Sequence, residues 1–246
     1  MDILKFSLGG RTAFFKKPEV NTYFSFTFGN IHKVALLGIF GAILGYKGYS
    51  DSKIDNMDLP EFYEKLRDIQ ASIVPMNEVG YFNKKIQQFN NSVGYASKEL
   101  GGNLIVKEQW IENPSWDVYV KLDSDIAIEL ADSIMNNKCV YVPYLGKNDH
   151  TADISNTAIL KDCSLAKNYL RIDSLFLNDK VEYGDIEDYE EEYFDVNEFK
   201  YEESLPVGLD EKTQMYFYDV FVNTNLPLER YHDEVYEVNG KNIVFN

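Results

Sequence analysis

The chain has 246 residues, of which 24 are Lys or Arg and 40 are Asp or Glu, giving a formal net charge of −16 at pH 7. A uniformly basic nucleic-acid-binding protein is thereby excluded, because an acidic surface repels RNA and DNA. The longest apolar run, residues 34–44, is too short to span a bilayer, while a hydrophobic content of 45% is ample for a buried core.

The charge is unevenly distributed along the chain. Residues 1–107 hold 13 Lys or Arg and 10 Asp or Glu, whereas residues 108–246 hold 11 and 30. In the first fifty residues, six cations face two acids. This asymmetry indicates a negatively charged partner at the N-terminal end of the chain.

The cysteines and the N-terminus indicate the compartment. Cys139 and Cys163 form no spaced motif, and two thiols in a chain of this size indicate a reducing environment. We expect both to be buried packing residues. No signal peptide is recognisable, because Asp2 and Lys5 interrupt the start and no long apolar run follows them. The sequence therefore predicts a soluble cytoplasmic protein with no membrane partner.

The chain opens with a predicted strand over residues 3–8, followed by a basic and aromatic segment and then an apolar helix over residues 34–45. Asn30 is the expected N-cap of this helix. The large side chains of the helix fall on one arc and the small ones on the other, with glycines at 38, 41 and 45. Interior glycines destabilise a helix, so the small arc predicts a close approach, either by a sheet or by a ligand.

Hydrophobic periodicity and turn residues predict the remaining elements of the N-terminal part. They are an exposed helix over 59–69, a strand starting at 71–74 and extending towards 82, a long polar excursion over 83–103, strands over 104–110 and 116–122, a helix over 124–136 capped by Ser124, and a strand or extended run over 139–145. The order strand, helix, strand, strand, helix, strand is that of the split βαβ, ferredoxin-like (RRM-like) fold.

The C-terminal part has a different character. Residues 181–211 contain thirteen acids and one base, Lys200, which predicts a solvated loop region or an interaction face for a basic partner protein. A strand is predicted over 215–222 and a hairpin on an Asn-Gly turn over 235–245. We therefore expect an α+β chain with a ferredoxin-like domain at 1–160 and an acidic, β-rich extension at 161–246.

Catalytic and metal sites have few candidate residues. His150 is flanked by Asp149 and Asp153, but no supporting ligands are visible, so neither a metal nor a cofactor is expected. A metal-free ribonuclease would need a general base and a cation for the transition-state phosphate. His32 and Lys33 could supply both, with Tyr23 or Lys107 assisting. The alternative is that His32 caps the helix or bonds a phosphate.

RNA binding has more material than catalysis. Cations could follow the phosphates while neighbouring rings stack on bases, although aromatic residues beside cations are also common on plain strand surfaces. The phosphate candidates in the opening segment are Arg11, Lys16 and Lys17. The stacking candidates are Phe14, Phe15 and Tyr23. Lys84, Lys85 and Lys98 on the excursion could reach around a strand.

Five segments of the chain form a recognisable series: FSLGGRTAFF at 6–15, SFTF at 25–28, LGIFGAILG at 37–45, KEQWIENP at 107–114 and PYLGKN at 143–148. In this order they resemble the Cas-five family of CRISPR-associated RAMP proteins, most closely the type I-B variant. The resemblance covers residues 3–159. It implies a ferredoxin-like fold with a protruding thumb, which here would be the 83–103 excursion.

The resemblance also implies a function in antiviral defence. Family members cap one end of the RNA-bound backbone in the Cascade surveillance complex, hold the 5′ handle of the CRISPR RNA, and contact the large subunit and the first backbone subunit. Target DNA would be a partner only indirectly. Carried over to this chain, the handle would meet residues 11–17, the helix start at His32 and Lys33, and the Lys147 segment.

Catalysis differs between members of the family. In subtype I-C the relative cleaves the precursor RNA, whereas in most other subtypes a separate endonuclease does so. This chain shows no convincing Tyr-Lys-His constellation, and we therefore predict a non-catalytic subunit. The alternative is a metal-independent endoribonuclease that processes the CRISPR precursor with His32 as its base.

Overall fold

The computed structural model describes residues 1–19, 23–50, 58–92, 94–95, 98–184 and 198–246, which form an α+β structure made mostly of strands. Its strands are β1 (Ile3–Gly9), β2 (Thr12–Ala13), β3 (Ala71–Pro75), β4 (Lys84–Asn90), β5 (Ile105–Glu112), β6 (Ser115–Lys121), β7 (Asp153–Leu160), β8 (Ser164–Leu165), β9 (Phe176–Leu177), β10 (Val181–Glu182), β11 (Lys200–Leu209), β12 (Tyr216–Thr224), β13 (Arg230–Tyr231), β14 (Tyr236–Val238) and β15 (Lys241–Ile243). The helical elements include α1 (Lys33–Leu44), α2 (Glu61–Leu66), α3 (Asp125–Met135) and a 3₁₀ turn at Asn178–Lys180.

A four-stranded sheet in the order β3-β6-β1-β7 forms the centre of the N-terminal part, and each neighbouring pair is antiparallel. Alternation along β1 places Leu4, Phe6 and Leu8 in the main core beneath α1 and α3. Ile3 belongs instead to a second cluster, in which it packs with Tyr236 and Ile243 of the C-terminal hairpin. Both faces of the sheet are therefore covered at this end.

Helix α1 confirms the predicted apolar helix but corrects its cap and its packing partner. His32, rather than Asn30, is the N-cap, and its imidazole accepts the N–H of Ala35. A Cβ on Gly41 would overlap the side chain of Phe62 in α2. The small arc of α1 therefore allows a neighbouring helix, and not the sheet, to approach closely. The helix ends at Gly45, whose φ of +85° suits glycine.

The fourth strand of the sheet was predicted at the wrong place. Residues 139–145 form no strand; they pass the end of α1, where Val140 and Tyr141 donate their N–H groups to Ile43 O and Ala42 O. The fourth strand is β7, whose mixed polar sequence carries a weaker hydrophobic signal. The expected burial of both cysteines was also wrong, since Cys139 is exposed and Cys163 half-buried.

The predicted long excursion over 83–103 contains a strand. β4 and β5 pair antiparallel from Lys84 opposite Ile111 to Asn90 opposite Ile105 and so form a long hairpin. Strand β3 does not extend towards residue 82 as expected, but ends at Pro75, which has no N–H to donate to a ladder. The helix at 124–136 is confirmed as α3, with Ser124 Oγ accepting the N–H of Ala127.

The C-terminal part contributes sheets in the orders β11-β12-β9 and β15-β14-β8 and the pair β10-β13. The predicted hairpin is confirmed, with positive φ at Asn239 and Gly240. The acid-rich segment is not entirely loop, because its last third is β11; residues 185–197 lie outside the described residues. Leu205, Leu209 and Phe221 join the main core. None of the helices in the described residues has the length and apolar character needed to cross a membrane.

Candidate nucleic-acid interface

The basic and aromatic segment that follows β2 folds back on itself. We call its described residues, 14–19 and 23–28, the arm. Lys17 donates its N–H to Phe26 O at 2.8 Å, and Phe28 donates to Phe15 O at 2.9 Å. Ser25 bonds the backbone of β5 on both sides, through Lys107 O and the N–H of Gln109. The arm therefore extends the β4–β5 hairpin at its inner edge.

The Leu-Gly-Lys segment is packed directly against the arm. Phe14 donates its N–H to Leu145 O at 3.0 Å. Gly146 has a φ of +86°, and a Cβ there would overlap Phe14 O, so only glycine fits this position. The structure thus brings the Lys147 segment beside the arm.

The rings of Phe14 and Phe15 do not fit the role predicted for them. Phe14 is 4% exposed and Phe15 is 2% exposed. Phe14 lies against the ring of His150, and Phe15 packs between those of His32 and Trp116. Because a stacking ring must present its face to a base, burial removes both phenylalanines from the proposed RNA contacts.

His32 is likewise a packing residue. It is 4% exposed and lies among aromatic rings, including those of Phe28 and Tyr216. Burial lowers its pKa to about 3, so the imidazole is neutral and a weak base. Its Nδ1 accepts the N–H of Ala35. Burial therefore prevents His32 from contacting RNA, contrary to the prediction. Lys33 is half-buried, and burial lowers its pKa while Asp68 opposes the shift.

Two of the predicted cations are exposed and free of ion pairs. Arg11 follows β1, and its carbonyl accepts the N–H of Asn113, which fixes the backbone from which the guanidinium projects. Arg11 and Lys16 are exposed, and neither forms an ion pair with a described residue. Tyr23, in the returning half of the arm, is 78% exposed. These three side chains can reach a ligand without rearrangement of the fold.

Lys17 and Lys84 converge on a buried carboxylate that the sequence analysis did not single out. Both oxygens of Glu203 accept the N–H of Gly29 at 2.8 Å, and Glu203 Oε1 lies 3.8 Å from Lys17 Nζ. A Cβ on Gly29 would lie 3.0 Å from Glu203 Oε2 and 3.3 Å from Lys84 Nζ. Burial raises the pKa of Tyr201, and the negative charge of Glu203 and a hydrogen bond to it raise this pKa further. Strand β11 thus places an acid among the predicted RNA-binding cations.

Lys147 and Lys85 are also paired with acids, and strand β5 carries an acid for each of them. Glu108 is buried and accepts from Lys147 Nζ at 3.3 Å and from Trp110 Nε1 at 2.8 Å. Asp149 lies 3.2 Å from the same ammonium. Lys85 pairs with Glu112 at 3.4 Å, but both side chains are well exposed, so this pair is weak.

His150 stays within the packing around Lys147. Its Nδ1 lies 2.6 Å from Thr12 Oγ1. Its ring makes a T-shaped contact with the ring of Trp110, and the two centroids are 4.6 Å apart. Burial lowers the pKa of the imidazole. Within the described ranges, no group of three His, Cys, Asp or Glu side chains is placed to hold a metal ion.

One solved structure shares the fold of this chain. No family model matches the chain, and no curated protein matches it in sequence. A solved structure described as a CRISPR RNA-guided surveillance complex matches 92% of this chain and 91% of its own, with 10% identity and a TM-score of 0.52. The two chains share a fold.

Two further structures are similar over most of their length. A CRISPR protein from Archaeoglobus fulgidus matches 99% of this chain and 98% of its own, with 11% identity and a TM-score of 0.47. A chain of the type III-B Cmr-beta complex bound to cognate target RNA and AMPPnP matches 91% of this chain and 85% of its own, with 9% identity and a TM-score of 0.48. Both scores are below 0.5, and no inference is drawn from them.

Proposed function

We propose that this chain is a non-catalytic subunit of a type I CRISPR effector complex, of the Cas-five family, that binds the 5′ handle of CRISPR RNA. The observation that carries the proposal is the fold shared, over 92% of the chain, with a CRISPR RNA-guided surveillance complex. The antiparallel order β3-β6-β1-β7 supports a ferredoxin-like assignment. The β4–β5 hairpin supports a thumb. The proposed setting is the cytoplasm.

The proposed RNA-binding surface is centred on Arg11, Lys16 and Tyr23. The two cations are exposed and form no ion pair within the described part of the chain, so no described ion pair has to break before they neutralise phosphates. The Tyr23 side chain is 78% exposed, and we propose that its ring stacks on a base. The predicted contacts Lys17, Lys84, Lys85 and Lys147 lie around this surface, but their acidic partners reduce what they can contribute. Lys33 is half-buried, and we propose that it adds positive charge without contacting a phosphate directly.

The proposed protein partners are the backbone subunit and the large subunit. Ile86 and Ile105 project from the β4–β5 hairpin and are about half exposed, which favours burial against another subunit. The acidic extension at 161–246 would meet protein rather than RNA. Side chains from both sides of residue 160 share the main core, so the two parts do not have separate cores. The proposed division at residue 160 concerns only their binding partners.

A binding experiment tests the RNA-binding surface. The double variant Arg11→Glu and Lys16→Glu should weaken binding of a 5′-handle RNA about tenfold or more, because reversing each cation replaces a phosphate contact with repulsion. Lys138→Glu with Lys212→Glu is a matched control, since both lysines are exposed and lie elsewhere. Equal weakening by the two double variants would contradict the proposal.

A further inference from the structure

An open cleft of about 730 Å³ lies in the C-terminal part between residues 167–171 and residues 225–230. The first segment is tied down at both ends, because Ala166 donates its N–H to Val235 O and Leu170 O accepts the N–H of Leu228. Leu228 is fully buried beneath it. The cleft is of the size that small-molecule sites have, roughly 300–1,000 Å³.

The charge of this cleft is opposite to that of its surroundings. Residues 161–246 hold 8 Lys or Arg and 21 Asp or Glu. Three of the eight cations, Lys167, Arg171 and Arg230, line the cleft, whereas Glu229 is the one acid among its lining residues. Lys167 and Arg230 are exposed and form no ion pair with any described residue. A local excess of cations over acids in an acidic part of the chain favours an anionic ligand.

Amide groups and a ring complete the lining. Among the described contacts, none involves the side-chain amide of Asn168 or of Asn242, and both line the cleft. Each amide offers a donor and an acceptor, as the edges of nucleobases require. Tyr169 is half-buried and borders both this cleft and an adjoining one of about 460 Å³. Its ring can stack on a planar base.

We infer that this cleft binds a nucleotide, with its phosphate between Lys167 and Arg230 and its base against Tyr169. An acidic peptide could also use the cations and could pair its backbone with the two amides. It has no planar base for Tyr169, so it fits less well. The nucleotide could be free or could belong to a single strand of RNA. The cleft shares no residue with the proposed 5′-handle surface, and the inference therefore does not depend on that proposal.

The test is equilibrium binding of 5′-AMP and of a short 5′-phosphorylated oligoadenylate to the full chain. Lys167→Glu with Arg230→Glu should weaken binding about tenfold or more, while the control Lys138→Glu with Lys212→Glu should not. Tyr169→Leu, which keeps the charge, should also weaken it, and this variant covers the case in which the charge-reversed protein does not fold. Comparable affinities for both ligands would identify a free nucleotide, and preference for the oligonucleotide would identify a strand.

The inference would be overturned by no binding of either ligand, by equal effects of the cleft and control variants, or by polyglutamate displacing the ligand as effectively as the oligonucleotide does. Loss of all binding in Arg11→Glu with Lys16→Glu, with the cleft variants unaffected, would assign the nucleotide to the N-terminal surface instead. The two sites can thus fail independently.

Discussion

Glu203 binds the backbone of Gly29 with both of its carboxylate oxygens, each 2.8 Å from the N–H, although 174 residues separate the two in sequence. The contact ties β11 to the end of the arm just before α1. It also places a buried negative charge beside Lys17. The acidic C-terminal part therefore reaches into the cationic N-terminal surface and limits which of its lysines remain free.

Glu203→Gln should increase affinity for RNA and decrease stability. Removing the charge releases Lys17 and Lys84 for phosphate contact, and the salt dependence of binding should become steeper because more counterions are displaced. The bond from Gly29 to a charged acceptor is weakened, which should lower the free energy of unfolding by about 1–3 kcal/mol. Measurements are RNA titrations at several salt concentrations and urea denaturation.

Glu202→Gln is the matched control for that prediction. Glu202 neighbours Glu203 but is exposed and pairs with Lys200, so its replacement should change neither quantity appreciably. Unchanged RNA affinity and salt dependence in folded Glu203→Gln would show that Lys17 and Lys84 do not contact RNA.

Gly146→Ala should destabilise the protein and separate the Lys147 segment from the arm. Alanine at a φ of +86° is strained, and its Cβ would overlap Phe14 O, for a cost of about 1–3 kcal/mol. Gly48→Ala is the control, because nothing lies near a Cβ at that position. Thermal unfolding of both variants measures the difference, and equal melting temperatures would contradict the described packing.

Stability should fall as the solution is acidified through the range set by His32. Burial lowers its pKa from an ordinary value of 6.5 to about 3 in the folded protein, so below pH 6.5 the unfolded chain binds a proton that the folded chain excludes. The free energy of unfolding should then decrease by about 1.4 kcal/mol per pH unit from this group until the pH nears 3. Above pH 6.5 the contribution is constant.

His32→Asn keeps an N-capping side chain while removing the titration. In urea denaturation at pH 7 and pH 5, the variant should lose less stability on acidification than the wild type. His232→Asn serves as the control because His232 is exposed. A pH dependence unchanged in His32→Asn would mean that the imidazole is not buried as described.

Much of the fold could be predicted because it has local signals. The apolar run of α1, the Ser124 cap of α3 and the Asn239-Gly240 turn each fix an element within a few residues. The strand signal misled at 139–145, where Val140 and Tyr141 are apolar but exposed. Hydrophobicity favours burial without guaranteeing it, and such a run can equally lie on a surface.

The site was less predictable than the fold because it depends on contacts between distant residues. Phe14 and Phe15 looked like stacking rings beside cations, yet both are buried once the arm packs against Trp116 and His150. Nothing local marks Glu203 as the acid that meets Gly29 among thirteen in its segment. The cations Arg11 and Lys16 could be singled out because charge imbalance is visible without the fold, and their contact with RNA stays a prediction.

Incubation with CRISPR repeat RNA should give no cleavage, with or without EDTA. The only histidine at the start of α1 is a weak base, buried, and already accepting the N–H of Ala35. Gel electrophoresis of end-labelled RNA measures the outcome. Cleavage that resists EDTA and is abolished by His32→Ala would show that the chain is the precursor-processing endoribonuclease.

The central claim is tested most directly by sequencing RNA that co-purifies with the tagged chain when it is expressed with a CRISPR array and the other subunits of its complex. The account predicts CRISPR RNAs with a uniform 5′ end, recovered with the wild type and the Lys138→Glu, Lys212→Glu control but depleted with Arg11→Glu, Lys16→Glu. Recovery of unrelated cellular RNA, or of no RNA from an intact complex, would contradict it.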